Sequence, residues 1–444
     1  MSDRGEPTLA GWGNLPVPGR EILTEDLERA TRDAVLSRGL GRSYGDSSLP
    51  PPSRREVVST RLADRILQWD PATGLLRAEA GFSLWEFNRL FLRRGWFIGS
   101  TPGTQFVTLG GMVASDVHGK GHHQFGSFGS RHVRALRLRL PSGEVVDCSP
   151  ERDPELFWGT VGGMGLTGHL LEVECQTQAI PSPWIWGESE RIDDIDQFVA
   201  AVKDAGKRWP FSVGWIDCVS RGKHMGRGII DRGRWAEPHE TGGRPLPVTR
   251  RLALPFTFPS WTINRFTTQA FNVLYYWKHV QRKKVGLRHP DSFFYPLDAI
   301  LHWNRIYGRR GFTQYQCLLP DEAGQGAARR FLDLLTRRGG ASFLCVIKDC
   351  GAEGQGTLSF LRPGITIAVD LAVRDDTQSL VDALNELVIA EGGRIYLTKD
   401  AFTRPEHYAR MDPRVPRFLA LRDRIDPQRA IRSAQSVRLF GDPR

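Results

Sequence analysis

The chain has 444 residues, 40% of them apolar and 25% charged, which fits a soluble globular protein of roughly two or three domains and argues against a disordered or low-complexity one. Its 60 Lys and Arg against 50 Asp and Glu leave a formal charge of +10, so anionic partners are favoured: a phosphorylated substrate, a membrane surface or nucleic acid. The charge is not gathered into a Lys/Arg tract or a nucleic-acid motif, so no nucleic-acid partner is expected. The six cysteines lack Cys-x-x-Cys spacing, which argues against zinc or a disulfide framework and fits a reducing compartment.

In chain order, the opening MSDRGEPTLAGWGN carries no apolar signal-peptide core, and no run of 18 apolar residues follows. A cytoplasmic protein is expected. Arg38 to Asp46 then reads RGLGRSYGD. Glycine removes the Cβ that would keep backbone N–H groups from phosphate oxygens. The spacing of Gly39, Gly41 and Gly45 is one residue too long for a Rossmann fingerprint.

Leu75–Glu79 reads as a strand, and Ser83 with Glu86 as a capping box. The helix that follows should bury Leu84, Phe87, Leu90 and Phe91 and stop at Gly95. A second glycine-rich stretch runs from Pro102-Gly103-Thr104 through Thr108-Leu109-Gly110-Gly111 to Asp116-Val117-His118-Gly119-Lys120. Either loop alone suits a tight turn. Together they suggest a ligand with two phosphates, such as a dinucleotide. His118, His122 and His123 lie in irregular chain without acidic or Cys ligands, so no metal is expected. Further strands are expected at 136–140 and 170–174, with a helix capped by Asp153 between them.

Residues 250–290 interleave Phe256, Trp261, Phe266, Phe271 and Trp277 with Arg265, Lys278, Arg282, Lys283 and Lys284. That mixture suits a membrane interface or an irregular loop system. Segment 311–400 reads strand 312–319, helix 321–338, strands 342–348 and 365–372, helix 378–391 and strand 394–398, the β-α-β-β-α-β order of a ferredoxin-like unit. Two helices cover one face. The other should carry Gln314, Gln316, Lys348, Thr366, Ala368 and Asp370, with Phe343, Cys345 and Ile347 turned to the helices. Such a face is either a polar pocket wall or a solvent-facing sheet. No internal repeat is visible.

The ordered blocks RGLGRSYGD (38–46), PGT…VTLGG…DVHGK…HH…GSFG (102–129), LFWGTVGGMGLTG (156–168), FYPLD (294–298), WNRIYG (303–308), GFTQYQ (311–316), SFLCVIK (342–348) and IYLTKD (395–400) resemble the decaprenylphosphoryl-β-D-ribose 2′-oxidase family of the vanillyl-alcohol oxidase superfamily. The resemblance implies an α+β fold with an FAD-binding domain at 1–182, completed by 394–444, and a ferredoxin-like substrate domain at 183–393. It implies FAD held by Arg38, Gly39, Leu40, Gly41, Arg42, Ser43, Tyr44, Gly45, Asp46, Ser47 and Ser48. Gly103, Thr108, Leu109, Gly110, Gly111, Ser115, Asp116, Val117 and His118 complete the cradle, with Leu170 and Tyr396 as further contacts. Covalent members of the superfamily often carry a flavin-linking histidine where this chain has Arg42, so the FAD is expected to be noncovalent.

Lys399 matches the family's active-site lysine, although by itself it reads as a solvated strand end. With His118 it forms the expected catalytic pair. Lys120, Trp215, Tyr295, Gln314, Gln316, Lys348, Thr366 and Ala368 match the substrate pocket. Ala368 stands where mycobacterial members carry cysteine, and Thr366 replaces an asparagine. The implied reaction is oxidation of the ribose 2′-hydroxyl of a lipid-linked sugar phosphate, with an NAD(P)H-dependent reductase acting next. A peripheral place on the inner membrane face is left open. The alternatives are an alditol or sugar-lactone oxidase, or a noncatalytic protein that binds anionic lipid or nucleic acid.

Overall fold

The capping box at Ser83 forms as its spacing requires. Ser83 Oγ accepts from Glu86 N at 3.2 Å, and the Glu86 carboxylate accepts from Ser83 N at 2.9 Å. Helix α1 (Leu84–Phe91) buries Leu84, Phe87, Asn88 and Phe91. Leu90, expected on that face, is exposed, because Asn88 takes the inward place one turn after Leu84. The helix runs into a short 3-10 turn that ends at Gly95, whose φ of 85° suits glycine.

A computed structural model describes residues 6–444. Residues 1–5 of the expected leaderless start lie outside the described residues. The N-terminal half is built on two main sheets, beside two short two-stranded ones. Strands β1 (Arg20–Leu23), β2 (Ser37–Arg38) and β3 (Glu56–Ser59) pair in parallel in the order β1-β3-β2. Strands β4 (Ile66–Asp70), β5 (Leu75–Glu79), β6 (Val133–Arg139), β7 (Val145–Cys148) and β8 (His169–Gln176) form an antiparallel sheet in the order β7-β6-β8-β5-β4. Helices α1, α2 (Leu109–Ala114) and α3 (Pro154–Thr160) share its core through Phe87, Met112 and Phe157.

The second half is built on one eight-stranded antiparallel sheet. Its strands are β9 (Ile185–Ile192), β10 (Phe211–Ile216), β11 (Gly228–Trp235), β12 (Lys283–Arg288), β13 (Phe312–Pro320), β14 (Cys345–Cys350), β15 (Gly364–Ala372) and β16 (Arg394–Ile395). The order across the sheet is β12-β9-β11-β10-β14-β15-β13-β16. Each half of that order is the mirror of the other about the β10–β14 seam. The same strand arrangement therefore occurs twice, although the sequence shows no repeat. Helices α4 (Ile195–Arg208), α6 (Ala327–Arg337) and α7 (Thr377–Ala390) bury Phe198, Phe331 and Leu384 against Ile216, Ile347 and Ile367 on one face. The opposite face meets the N-terminal half.

Helix α6 starts at Ala327 rather than at Asp321, because the chain first turns at Gly324 with φ of 77°. Phe343 lies on the face away from the helices, against Tyr307, since β14 begins only at Cys345 and the alternation does not reach it. The last strand holds two residues. Tyr396 N still donates to Gln316 O, but Lys399 N folds back to Tyr396 O at 2.9 Å, so Lys399 lies in a turn rather than at a strand end.

That turn is tied directly to the first glycine loop. Tyr44 N donates to Thr398 O at 3.0 Å. A Cβ on Gly45 would lie 1.7 Å from Asp400 O, so only glycine allows the approach. The C-terminal helices α8 (Pro405–Met411), α9 (Val415–Ile425) and α10 (Ala434–Phe440) join the core of the second half through Tyr408, Phe418 and Leu439, with α8 against α7, and α9 also reaches α3 in the N-terminal half. Arg438 bonds Asp46 at 2.8 Å and Asp400 at 2.9 Å, and a buried Arg422–Asp442 pair fastens the chain end.

Candidate active site

One cavity of about 800 Å³ runs between the two halves. At one end it is walled by the first glycine loop. It passes His118 and Lys399 and ends under aromatic side chains of residues 215–346. The volume is in the range of a sizeable cofactor or ligand site.

The glycine loop is fixed from behind. Arg38 is buried and donates to Glu21 at 2.8 Å, to both oxygens of Ser48 at 3.0 Å and to Ala10 O at 2.7 Å. No backbone N–H from Gly39 to Ser43 donates to a protein acceptor among the described residues. A run of free main-chain donors on a pinned loop is an anion cradle. Gly41 takes φ of 63°, where its Cβ would strike the Arg38 guanidinium at 2.3 Å. Gly103 and Gly165 have no atom within 4 Å of a built Cβ, so the chain leaves open space beside them. Thr108 caps α2 through Gly111 N at 3.2 Å. These donors and the open space beside them fit the phosphates of FAD.

Arg42 stacks over Trp12 at 4.1 Å and lines the cavity. Leu40, Ser43, Tyr44, Ser47, Ser48, Gly110, Ser115, Val117 and Leu170 line it as well. Four expected cofactor residues do not. Gly45 is pressed on Asp400, and Asp46 pairs with Arg438. Leu109 is core. Asp116 is spent on Ser127, Ser130, Ser359 and Gly129 N, which anchors the second loop from below.

The catalytic candidates share this cavity. Lys399 Nζ sits 3.6 Å from the Tyr44 ring centroid and has no acidic partner within ion-pair distance among the described residues. Burial pushes its ammonium down to about 7, against the pull of Asp370 and with the push of Lys348. Asp370 is itself held up to about 7 by burial, although Gln314 donates to it at 2.5 Å and Tyr307 at 2.9 Å. His118 lies on the other side, with its ring 4.9 Å from Tyr396. Burial first, then the charge of Lys348, holds it well below its ordinary value, so it is neutral at pH 7. Gln316 Nε2 donates to His118 Nε2 at 2.9 Å, which puts the histidine proton on Nδ1, a buried atom without a protein partner. Tyr396 OH donates to Ser115 O at 2.9 Å.

Lys120, Trp215, Gln314, Gln316, Lys348 and Ala368 all line the cavity. Lys120 donates to Phe293 O, and burial lowers it to about 8. Thr366 stands one step behind, holding Gln316 at 3.2 Å. Tyr295, expected in the pocket, turns away from it. Its hydroxyl is held by Thr101 at 2.6 Å and Asn88 at 3.1 Å, inside the N-terminal core. His122 Nδ1 accepts from Gly351 N at 3.0 Å and turns its ring edge-on to that of His118 at 6.4 Å, while His123 bonds Trp209 O at 2.7 Å and lies apart.

Four contributors were not expected as site residues. Asp370 stands in the apolar run ITIAVDLA, and a lone carboxylate there was a readable signal. Tyr307 carries none. Phe271 and Tyr275 reach the cavity from helix α5 (Arg265–Trp277), inside the aromatic and basic stretch 250–290, which the sequence marked as a segment without singling out either side chain.

Residues 26–149 match the family described as FAD binding domain. The chain is 34% identical over 451 residues to decaprenylphosphoryl-beta-D-ribose oxidase of Mycolicibacterium smegmatis, covering 97% of both chains. It is 30% identical to a Streptomyces coelicolor protein described as "Uncharacterized protein in mprA 5'region", over 80% of this chain and 99% of that one. It is 23% identical to L-gulono-1,4-lactone dehydrogenase of Mycobacterium tuberculosis, over 95% and 93%.

Proposed function

The chain belongs to the decaprenylphosphoryl-β-D-ribose oxidase family, and from that premise we propose that it oxidises the ribose 2′-hydroxyl of a polyprenyl-phosphoryl-β-D-ribose to the 2′-ketone. It is an FAD-dependent oxidoreductase. The oxidation is the first half of an epimerisation to an arabinose donor for cell-wall or other glycans, and an NAD(P)H-dependent keto-sugar reductase acts next. One observation carries the substrate class: the cavity that holds Lys399 and the glycine loop continues into an apolar end formed by Trp215, Phe271, Tyr275 and Phe343. A free sugar or lactone has no use for that end, whereas a prenyl chain does. Anaerobic mixing with lipid-linked and free sugars, following the flavin band, tests it.

Bound FAD supplies the hydride acceptor for ribose C2′. Residues 38–44 with Ser47 and Ser48, and the second loop at Gly103, Thr108, Gly110, Gly111 and Ser115, are the proposed cradle. Arg42 cannot form the histidyl bond of covalent relatives, so the cofactor is held noncovalently. Neutral Lys399 accepts the hydroxyl proton. Gln316 fixes His118 in one tautomer at the cavity wall. Lys348 and Lys120 supply positive charge for the substrate phosphate.

Lys399 must be neutral to act, and its neutral fraction grows as pH rises through about 7. Flavin reduction is therefore expected to accelerate across that range. Asp370 raises Lys399, so Asp370→Asn lowers it further, and the rise should move to lower pH. Stopped-flow pH profiles of the two proteins read this. A rise at the same pH in both would separate Asp370 from Lys399.

Ala368 removes the pocket thiol of the mycobacterial members. Inhibitors that bond to that cysteine are expected to leave no adduct in this cavity, although β13 and β14 hold buried Cys317, Cys345 and Cys350 nearby. Intact-protein mass spectrometry checks it, and a pocket adduct would refute the assignment of Ala368.

The proposed division is a cofactor domain at 1–182 with 394–444 and a substrate domain at 183–393, with the boundary residues Arg394–Ile395 lending β16 to the substrate-domain sheet. The order β14-β15-β13-β16 supports the ferredoxin-like reading of residues 311–400. Among the described residues no helix is long and apolar enough to cross a membrane. A cytoplasmic protein lying on the membrane that holds its substrate is consistent with that.

A further inference from the structure

Helix α5 is amphipathic with its faces reversed. Its buried positions are Thr268, Asn272 and Tyr276, spaced one turn apart. Asn272 donates to Asp217 at 2.9 Å and to Ser342 O at 3.1 Å, and Tyr276 OH donates to Asp193 at 3.0 Å. Polar bonds therefore pin the helix to the loops at the ends of β9, β10 and β14. Its apolar side chains face outward: Phe266 is 84% exposed, Leu274 73% and Trp277 55%, and Trp261 just before the helix is 75% exposed. A soluble helix buries such a stripe, and an exposed apolar patch of this kind marks an interaction site.

The charge around it has one sign. Residues 241–290 hold nine Lys and Arg and no Asp or Glu, against a formal charge of +10 for the whole chain. Acids on other elements pair with Arg251, Arg282, Lys283 and Arg288. Arg250, Arg265, Lys278 and Lys284 are exposed and have no acidic partner within ion-pair distance among the described residues. Exposed aromatic and aliphatic side chains ringed by free cations complement an anionic lipid surface, where rings enter the headgroup level and cations meet phosphates. A second copy of this chain would bring the same cations together.

We propose that the outer face of α5, with Trp261 and the free cations, docks on an anionic lipid bilayer. The flank of the same helix lines the cavity through Thr267, Phe271 and Tyr275. A prenyl chain leaving the bilayer along that flank enters the site without crossing water. This last step rests on the substrate proposed above; the docking does not.

The test uses full-length, FAD-loaded protein and vesicles of equal parts phosphatidylglycerol and phosphatidylcholine, against vesicles of phosphatidylcholine alone. Wild type should sediment with the anionic vesicles, and salt should weaken this. Phe266→Glu/Leu274→Glu and Arg265→Glu/Lys284→Glu should each weaken binding more than about tenfold. None of these four residues lines the cavity. All three proteins should bleach at the same rate with a short-chain, water-soluble prenyl-phosphoryl ribose. Failure of wild type to sediment overturns the docking, as does equal sedimentation of the variants. So does a wild-type dimer that the Phe266→Glu/Leu274→Glu protein cannot form, with no vesicle binding. If none of the proteins bleaches with the soluble substrate, the substrate assignment falls while the sedimentation result stands.

Discussion

Lys399→Ala is expected to purify yellow, with FAD retained, and to lose substrate-driven bleaching by about a hundred- to ten-thousand-fold. The two halves of this expectation have separate causes. FAD retention follows because the cradle does not use the lysine side chain. The turn that carries Lys399 is held by main-chain bonds, Lys399 N to Tyr396 O and Tyr44 N to Thr398 O, which alanine leaves in place. The buried ammonium has no ion-pair partner, so its removal lifts a desolvation cost, and the melting temperature should not fall. The rate loss follows because no other group near the Tyr44 ring is placed to take a proton at neutral pH. His118 is neutral but donates from Nδ1, and Asp370 is engaged by Gln314 and Tyr307. Lys399→Arg separates two roles. Arginine keeps the positive charge and does not give up its proton. If it restores the rate, Lys399 serves as a charge for the developing alkoxide; if it does not, Lys399 is the base. Bleaching of Lys399→Ala at the wild-type rate would remove the residue from the chemistry.

The second large effect is expected at the other end of the cavity. Gly41→Val should yield folded protein that loses FAD on gel filtration. At φ of 63° a side chain is strained by about 1–3 kcal/mol. Its Cβ would also lie 2.3 Å from Arg38 Nη2, and Arg38 cannot move without breaking its bonds to Glu21, Ser48 and Ala10. The loop that presents free N–H groups would lose its brace. Gly143→Ala is the control. It also has positive φ, 89°, but lies between β6 and β7 with no atom within 4 Å of the added Cβ. It should keep its flavin. Flavin absorbance per mole of folded protein, with far-ultraviolet circular dichroism alongside, reads both. A yellow Gly41→Val protein would mean that the first loop does not hold the cofactor.

Local rules carried much of this fold. The Ser83 and Asp153 caps, the strands around Leu75, Leu136 and Leu170, and the two faces of β15 follow from spacing and alternation alone, because each is decided within a few residues. The failures have one origin, in that distant chain decides them. Lys399 leaves the strand because Tyr44, more than three hundred positions earlier, takes the hydrogen bond a neighbouring strand would have taken. Tyr295 turns inward because Asn88 and Thr101 bind its hydroxyl. Leu90 is exposed because Asn88 is wanted inside for that same bond. The doubled strand order leaves no sequence repeat, since pairing fixes topology through main-chain bonds that many side chains permit. In the candidate site, the glycine loops were legible as motifs. The pull of Asp370 on Lys399 needed the fold to bring β15 and the final turn to one site.

Anaerobic mixing of the FAD-loaded protein with a polyprenyl-phosphoryl-β-D-ribose, with free ribose and with gulonolactone decides whether a lipid-linked ribose is what reduces the flavin. The visible flavin band should bleach with the lipid-linked sugar, one flavin per sugar oxidised, and stay unchanged with the other two. Bleaching by the lactone or the free sugar while the lipid-linked ribose leaves the band untouched would contradict it.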